Sequence, residues 1–227
     1  EPMQCTSVMY SCGGYRVLFG DGKGMFSGDQ LVMLGIARPI YDLEAVDLND
    51  DGRKDLVIPM AGNHPTIDPF GEVLVAHALP AGGLATPRLL HAGYGSGPGQ
   101  HLTFGDVTGD GIVDSILTPA DQQDKPVIRK RLLDNTFAYW ADLWSYRIYP
   151  GLILAEDFDG DRKTDLVSIQ IITWGLVGLG FYQQSNGALL APTYTQFSEF
   201  NAVVNDENAM AAGDYNGDGC KDVVSGS

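Results

Sequence analysis

Four short acidic segments recur along the chain, and an apolar run follows each of them directly. They are DLNDDGRKD at 47–55, DVTGDGIVD at 106–114, DFDGDRKTD at 157–165 and DYNGDGCKD at 214–222. Each has aspartate at positions 1, 5 and 9 and an oxygen-bearing side chain at position 3. Alternate side chains of a tight loop converge on one point, and Ca²⁺ prefers roughly six to eight oxygen ligands. The pattern therefore predicts calcium-binding loops.

The residues after these loops exclude an EF-hand. That motif needs a glutamate at position 12 and helices on both sides, whereas position 12 is Ile58, Leu117, Ser168 or Ser225 here. The flanking segments, such as DLVIPM after the first loop, are short, β-branched and apolar. Such segments are typical of strands. We therefore expect each loop to be the turn of a β-hairpin.

The spacing of the loops indicates a repeated unit made of strands. The loops start 59, 51 and 57 residues apart, and further strand-like runs lie between them. A period of this length with several strands per unit is typical of a β-propeller, whose blades have four strands each. We predict one all-β domain over residues 1–227, a propeller of four-stranded blades with four repeats visible.

The two ends of the chain are predicted to complete one blade. Residues 15–33 have the pattern of two outer strands without an acidic loop of their own, and the last repeat lacks its outer strands. Pairing the two parts closes the ring without a free sheet edge, and the closing interval is then 60 residues, similar to the other three. The alternative is that the chain is a piece of a larger protein.

Composition limits the partners and the place of action. With 29 acidic residues against 14 basic ones, the net charge is −15, and a nucleic-acid backbone would be repelled. No apolar run approaches the roughly 18 residues of a membrane span. Extracellular calcium modules bind in roughly the 10⁻⁴ to 10⁻³ M range. We therefore expect a secreted or cell-surface protein that binds no nucleic acid and has no membrane span.

The chain has three cysteines, Cys5, Cys12 and Cys220, so at least one thiol is unpaired within the chain. The favoured interpretation of Cys220 is a small, buried, unreactive residue. The alternative is a disulfide from Cys220 to the N-terminal segment.

The loop pattern with its apolar strand, together with FGDGKGMFSGD at residues 19–29, resembles the FG-GAP/VCBS calcium repeats of integrin-alpha-like propellers and related propeller lectins. The resemblance implies up to four Ca²⁺ ions. Propellers of this family usually have seven blades, so the resemblance also implies the alternative that the chain is part of a seven-bladed propeller. It implies the following side-chain ligands: Asp47, Asn49, Asp51, Asp55, Asp106, Thr108, Asp110, Asp114, Asp157, Asp159, Asp161, Asp165, Asp214, Asn216, Asp218 and Asp222. The carbonyl ligands would be those of Arg53, Ile112, Lys163 and Cys220.

Two residues depart from this pattern. Arg162 stands at position 6, where the other loops have glycine, and this position commonly needs a positive φ. Thr108 is a neutral and weaker ligand than a carboxylate. The third loop has four carboxylates of its own, which are expected to offset the strain at Arg162.

The rest of the sequence favours binding over catalysis. It contains no nucleophile elbow, zinc-protease helix or phosphate-binding glycine loop, so we expect no enzyme. The segment TFAYWADLWSYRIYP at 136–150 contains Trp140, Trp144 and Tyr146. These rings either pack between sheets or form a stacking platform for a sugar. His64 lies in a loop bounded by proline and glycine and joins them as a candidate ligand-binding residue.

These features together predict a secreted, calcium-stabilised binding or adhesion module. Its expected partner is a glycan or a cell-surface protein, with lectin-like carbohydrate recognition as the first choice. One alternative is an accessory or scaffold propeller of an extracellular polysaccharide-active enzyme. The other alternative is a protein–protein assembly module, which includes self-assembly.

Overall fold

A computed structural model of the chain describes residues 13–34, 40, 42–60, 70–95, 101–118, 125–143, 147–173, 176–196 and 209–226. In these residues all regular secondary structure is β-strand, and the strands pair antiparallel in small sheets. The prediction of an all-β fold is confirmed for this part of the chain, where no helix able to span a membrane occurs. The chain divides into two compact units, Glu1–Tyr94 and Gly95–Ser227. The prediction of one domain over the whole chain stays a prediction.

The first unit contains a hairpin and a four-stranded sheet. Its strands are β1 (Gly14–Gly20), β2 (Phe26–Met33), β3 (Glu44–Val46), β4 (Asp55–Met60), β5 (Phe70–Ala76) and β6 (Arg88–Gly95). β1 and β2 form the hairpin, and β3 to β6 lie side by side in chain order. Connections between neighbouring strands are therefore local throughout the sheet.

One face of the hairpin packs on the four-stranded sheet. Successive side chains of a strand point to opposite faces, and the inner face of β1 and β2 carries Tyr15, Val17 and Val32. Together with residues of β4 and β5 they form an apolar cluster, whose buried members are Tyr15, Ile58, Met60, Leu74 and Ala76. The burial of these side chains holds the first unit together.

The second unit repeats the same plan. Its strands are β7 (His101–Gly105), β8 (Asp114–Thr118), β9 (Val127–Arg131), β10 (Phe137–Asp142), β11 (Arg147–Glu156), β12 (Asp165–Thr173), β13 (Leu176–Tyr182), β14 (Gln184–Ser185), β15 (Ala188–Leu189), β16 (Thr193–Gln196), β17 (Ala209–Gly213) and β18 (Asp222–Gly226). β7 to β10 form one four-stranded sheet, and β11, β12, β13 and β16 form another. The pairs β14–β15 and β17–β18 are two-stranded.

The two four-stranded sheets of the second unit share a core. Its buried members are Val107, Ile116, Ile128, Leu143, Ile153, Leu166 and Tyr182. The first strands also lie close together, since β11 contacts both β7 and β17. Gly105 permits this approach, because a Cβ there would lie 2.5 Å from the Cγ2 atom of Thr164 and 3.2 Å from the Cβ of Ala155.

Each acidic segment connects the first and second strands of its sheet, as the hairpin prediction requires. The four connections are β3–β4, β7–β8, β11–β12 and β17–β18, and all four strand pairs are antiparallel. The second strands β4 and β8 are covered on both faces along most of their length. The pairing of β1 and β2 with the C-terminal hairpin stays a prediction.

Candidate metal centre

The acidic segments are called loops 1 to 4 in chain order, and their nine residues positions 1 to 9. In every loop the position 1 carboxylate accepts a hydrogen bond from the backbone N–H of position 6. The donor–acceptor pairs are Gly52–Asp47 at 2.7 Å, Gly111–Asp106 at 2.7 Å, Arg162–Asp157 at 2.8 Å and Gly219–Asp214 at 2.9 Å. The first aspartate therefore folds each loop back on itself.

The position 5 carboxylates make a second repeated bond. Each accepts the backbone N–H of position 7, from Arg53, Ile112, Lys163 and Cys220, at 2.8 to 3.0 Å. The position 3 side chains of Asn49, Asp159 and Asn216 accept the N–H of position 5 at 2.9 to 3.1 Å. Such Asx turns are a known use of aspartate and asparagine. They fix these side chains against the backbone of their own loop.

Positions 4 and 6 of each loop have left-handed backbone. Glycine occupies most of these places, but Asp50 has φ of 59° at position 4 of loop 1, and Arg162 has φ of 67° at position 6 of loop 3. The positive φ expected of Arg162 from the glycines in the other loops is confirmed. Asp50 makes the same departure at position 4, which the sequence comparison of position 6 did not reveal.

The position 9 carboxylates of loops 1 to 3 are completely buried. The Oδ2 atom of each accepts an N–H from its own loop, from Leu48 at 3.1 Å, Thr108 at 3.0 Å and Phe158 at 3.2 Å. The Oδ1 atom accepts an N–H just beyond the third strand or at its end: Ala78 to Asp55 at 2.8 Å, Arg131 to Asp114 at 3.1 Å and Gln184 to Asp165 at 2.9 Å. This carboxylate therefore ties the loop to the third strand.

A side chain from the third strand also reaches each of these loops. It belongs to the residue directly before the N–H that bonds Oδ1, and we call these residues the strand-end donors: His77, Lys130 and Gln183. His77 Nδ1 lies 2.9 Å from Oδ2 of Asp55, Lys130 Nζ lies 2.8 Å from Oδ2 of Asp110, and Gln183 Nε2 lies 2.5 Å from Oδ2 of Asp159. Each site thus has a polar contact from outside the loop.

The ionisation of the loop carboxylates depends on their burial. Burial raises the pKa of Asp114 and that of Asp165 above the usual range. Burial also acts upward on Asp47, but the N–H donors of the loop, above all Gly52, outweigh it and hold the pKa of Asp47 below the usual value. For Asp110, burial is outweighed by the Lys130 hydrogen bond and the Ile112 N–H, and the pKa is again lowered. A buried carboxylate with a raised pKa gains most from a nearby cation.

Loop 3 brings carboxylates together into a set able to hold a metal ion. Ligand oxygens of Asp157, Asp159 and Asp165 all lie within 4.8 Å of one another. In loop 2, Thr108 Oγ1 is buried and lies beside the carboxylates of Asp110 and Asp114, but it makes no hydrogen bond of regular geometry to either. The candidate metal ligands in both loops are all oxygen atoms, the type that hard cations such as Ca²⁺ prefer. The chemistry of both loops therefore fits a hard cation.

Loop 4 differs from the others in its exposure. Asp214 and Asp218 are exposed, and Asp222 is partly buried and accepts the N–H of Tyr215 at 2.9 Å. Cys220 is a free, exposed thiol, so the interpretation of it as a buried residue is wrong. The tight turn leaves position 7 open to solvent, since this position is exposed in loops 3 and 4 and partly exposed in loops 1 and 2. The charge of Asp218 raises the pKa of this thiol.

The candidate ligand-binding side chains are only partly within the described residues. Trp140 in β10 is partly buried and packs against the core of the second unit. Trp144, Tyr146 and His64 lie outside the described residues. Their predicted role in ligand binding stays a prediction.

The strand-end donors were not found by sequence reasoning. His77, Lys130 and Gln183 follow position 9 by 22, 16 and 18 residues, so they have no fixed spacing from the loop. The only local signal is a polar side chain at the end of the third strand. Because such residues are common at strand ends, that signal alone selects no site.

Comparison with known families agrees with the repeat. The family model described as an FG-GAP-like repeat matches residues 157–225, a segment that includes loops 3 and 4. The predicted resemblance to an FG-GAP repeat is confirmed over this segment. No curated protein matches the chain.

Proposed function

We propose that the protein is a secreted, calcium-stabilised β-propeller that acts as a binding or adhesion module. The observation that carries the proposal is the convergence of Asp157, Asp159 and Asp165 in loop 3, within the segment that matches an FG-GAP-like repeat. The same internal hydrogen bonds recur in loops 1, 2 and 4. The side chains at positions 1, 3, 5 and 9 would hold the ion, with the carbonyl at position 7.

The propeller arrangement is supported by how the sheets are built. Each four-stranded sheet consists of antiparallel strands in chain order, with the acidic loop between its first two strands, and only the β14–β15 hairpin interrupts this order, between β13 and β16. In the second unit the first strands of successive sheets lie side by side, since β11 contacts β7 and β17. A ring of sheets around a central axis has this geometry. The two-stranded sheets β1–β2 and β17–β18 supply the four strands that would complete one more blade.

Ring closure is testable by hydrogen exchange. If β1 or β2 pairs with β18, the amides of β18 that point away from β17 are protected from exchange at a rate similar to those of β12. Rapid exchange of these outward amides, in a chain whose β12 amides are protected, would count against closure and favour part of a larger propeller.

The partner proposed first is a glycan. The surface is acidic overall, with a net charge of −15, so neutral hydrogen-bonding groups and aromatic rings are better suited to recognition than a cationic clamp. FG-GAP-like repeats are generally non-catalytic, which favours a binding module over an enzyme. Glycan-array binding in millimolar Ca²⁺, lost in EGTA, is the expected result.

A protein–protein assembly role is the second candidate, and the outer face of the β1–β2 hairpin favours it. This face carries Leu18, Leu31 and Met33, whose side chains are 53%, 54% and 57% exposed. Arg16 and Asp29 form a 2.9 Å ion pair on the same face. An apolar face of this kind is typical of interaction surfaces. Self-association in sedimentation experiments, abolished by Leu31→Asp, would select this candidate.

The calcium proposal is tested by thermal unfolding with millimolar Ca²⁺ and with EGTA. Neutralising closely packed carboxylates links ion binding to folding, so saturating Ca²⁺ raises the melting temperature. The matched variant Asp157→Asn removes a ligand of loop 3 and is expected to reduce this rise, whereas Asp134→Asn, in the β9–β10 turn, leaves it unchanged. Equal melting temperatures with Ca²⁺ and with EGTA would contradict the proposal.

A further inference from the structure

Loop 2 has a cation of its own, supplied by the third strand of its sheet. The Nζ atom of Lys130 lies 2.8 Å from Oδ2 of Asp110, with side-chain exposures of 33% and 29%. The other oxygen of Asp110, Oδ1, accepts the N–H of Ile112 at 2.9 Å. The ammonium group therefore contacts the oxygen of Asp110 that accepts no hydrogen bond from the Ile112 N–H.

The equivalent residues of loops 1 and 3 are not lysines. The strand-end donor is His77 in loop 1 and Gln183 in loop 3, and they contact Asp55 and Asp159. In those loops the position 5 aspartates pair instead with the position 7 side chains, Asp51 with Arg53 and Asp161 with Lys163. Loop 2 has Ile112 at position 7, so its only cation of this kind comes from β9.

The two kinds of cation differ in where their backbone lies and in how exposed their side chains are. Lys130 lies in β9, where it is paired with Ala138 of β10, and the N–H of the next residue, Arg131, is bonded to Asp114. Its backbone is therefore fixed beside the loop. Arg53 and Lys163 lie in the loops themselves, two residues after the aspartates that they contact, and their side chains are 39% and 42% exposed, against 33% for Lys130. A tethered group that cannot diffuse away competes at a high effective concentration.

We propose that Lys130 competes with the calcium ion for Asp110 and weakens calcium binding at loop 2. This inference rests on the proposed calcium-binding function. A divalent ion entering loop 2 displaces the ammonium from Oδ2 of Asp110, while the hydrogen bonds of Asp114 to Thr108 and Arg131 remain. At about 5 Å in a water-like dielectric, a unit charge weakens the binding of a divalent ion about tenfold.

The test measures Ca²⁺ binding by the full chain, using equilibrium dialysis and calorimetry. Lys130→Gln keeps a hydrogen-bonding side chain and removes the charge, and it is expected to tighten one class of site about tenfold. Lys130→Arg keeps the charge and is expected to behave as wild type. Lys163→Gln, the matched change at a loop tip, is expected to tighten binding less than about threefold. Adding Asp106→Asn to Lys130→Gln is expected to remove the tightened class and so assign it to loop 2.

Each outcome has a distinct meaning. Unchanged dissociation constants in Lys130→Gln, with Ca²⁺ still bound by wild type, overturn the competition and leave the proposed function standing. Equal tightening by Lys163→Gln and Lys130→Gln also overturns the competition and leaves the proposed function standing. Absence of Ca²⁺ binding in every variant overturns the proposed function and this inference with it. Circular dichroism in EGTA checks that all variants are folded.

Discussion

The Oδ1 atom of Asp165 accepts a 2.9 Å hydrogen bond from the backbone N–H of Gln184. The Oδ2 atom of the same carboxylate accepts the N–H of Phe158 at 3.2 Å. One buried side chain therefore connects the start of loop 3 to the chain that follows β13. Asp55 and Asp114 make the same connection in loops 1 and 2. These loops are closed by protein hydrogen bonds as well as by any ion they bind.

Replacing this carboxylate is expected to destabilise the fold even without calcium. In Asp165→Asn the NH₂ group has to face one of two N–H donors, Phe158 or Gln184, and a buried bond is lost. The expected loss is about 1–3 kcal/mol of unfolding free energy, measured by urea denaturation in EGTA. Asp161→Asn is the control, because its side chain lies on the exposed loop tip and its loss matters only when Ca²⁺ is present. Equal effects of both substitutions in EGTA would contradict the role assigned to Asp165.

The left-handed backbone of loop 3 predicts a stabilising substitution. Arg162 has φ of 67°, a conformation that costs a non-glycine residue roughly 1–2 kcal/mol. Glycine removes this strain but increases the conformational entropy of the unfolded chain, which offsets part of the gain in stability. Arg162→Gly is therefore expected to raise the unfolding free energy by up to about 1 kcal/mol. Gly111→Ala tests the reverse at position 6 of loop 2. Its Cβ would meet nothing within 4 Å, so a loss of about 1 kcal/mol there reports the backbone alone. A loss on Arg162→Gly would show that the side chain outweighs the strain.

Much of the fold could be predicted because each acidic loop marks the turn between two strands. Aspartates at alternate positions and β-branched runs on both sides indicate a turn between paired strands, and all four loops have that position. The strand-end donors could not be predicted, because they reach the loop through pairing of the second and third strands. Strand and turn lengths differ among the repeats. Lys130 and Gln183 therefore contact their loops in similar ways, although they lie at different distances from those loops in the sequence.

The exposure of Cys220 was missed for a related reason. Cysteine is usually buried, and the statistics of a residue type give no information about which side of a tight turn it lies on. Position 7 is partly or fully exposed in all four loops, so the exposure of Cys220 follows from its place in the turn. The positive φ of Arg162 could be predicted, because three glycines at one position of a repeat reveal its backbone conformation.

The thiol of Cys220 is expected to report occupation of loop 4. The negative charge of Asp218 raises its pKa, with smaller contributions from Asp214 and Asp222, so the thiolate fraction near pH 8 is below that of a free cysteine. A bound Ca²⁺ neutralises this charge and increases the thiolate, which is the reactive form. Labelling of the Cys220 peptide by iodoacetamide, followed by mass spectrometry, is therefore expected to accelerate on addition of Ca²⁺.

The variant Asp218→Asn supplies the control for this labelling. It removes the nearest charge, so labelling in EGTA is expected to be faster than in wild type and to respond less to Ca²⁺. If Ca²⁺ instead slows labelling of Cys220 in wild type, the ion shields the thiol more than it lowers the pKa, and the electrostatic explanation is wrong.

The role of Trp140 can be separated from that of its neighbour. Trp140 packs against the core of the second unit, whereas Tyr139 is 61% exposed. Trp140→Ala is expected to lower the unfolding free energy by about 2 kcal/mol, and Tyr139→Ala by less than about 0.5 kcal/mol. Both are measured by denaturant unfolding in Ca²⁺, alongside glycan-array binding. Loss of glycan binding in Trp140→Ala without loss of stability would place this ring in the recognition surface.

The consecutive order of strands in each four-stranded sheet affects how the chain reaches its native state. Each strand of these sheets pairs with the next strand of the chain, except that β13 pairs with β16 beyond the β14–β15 hairpin, so each sheet is built from one continuous stretch of the chain. A sheet can therefore form as soon as its own strands have left the ribosome, before the next repeat has been synthesised. The faces of such an early sheet would stay uncovered until the following sheet forms. Translation would therefore set the order in which the repeats pack.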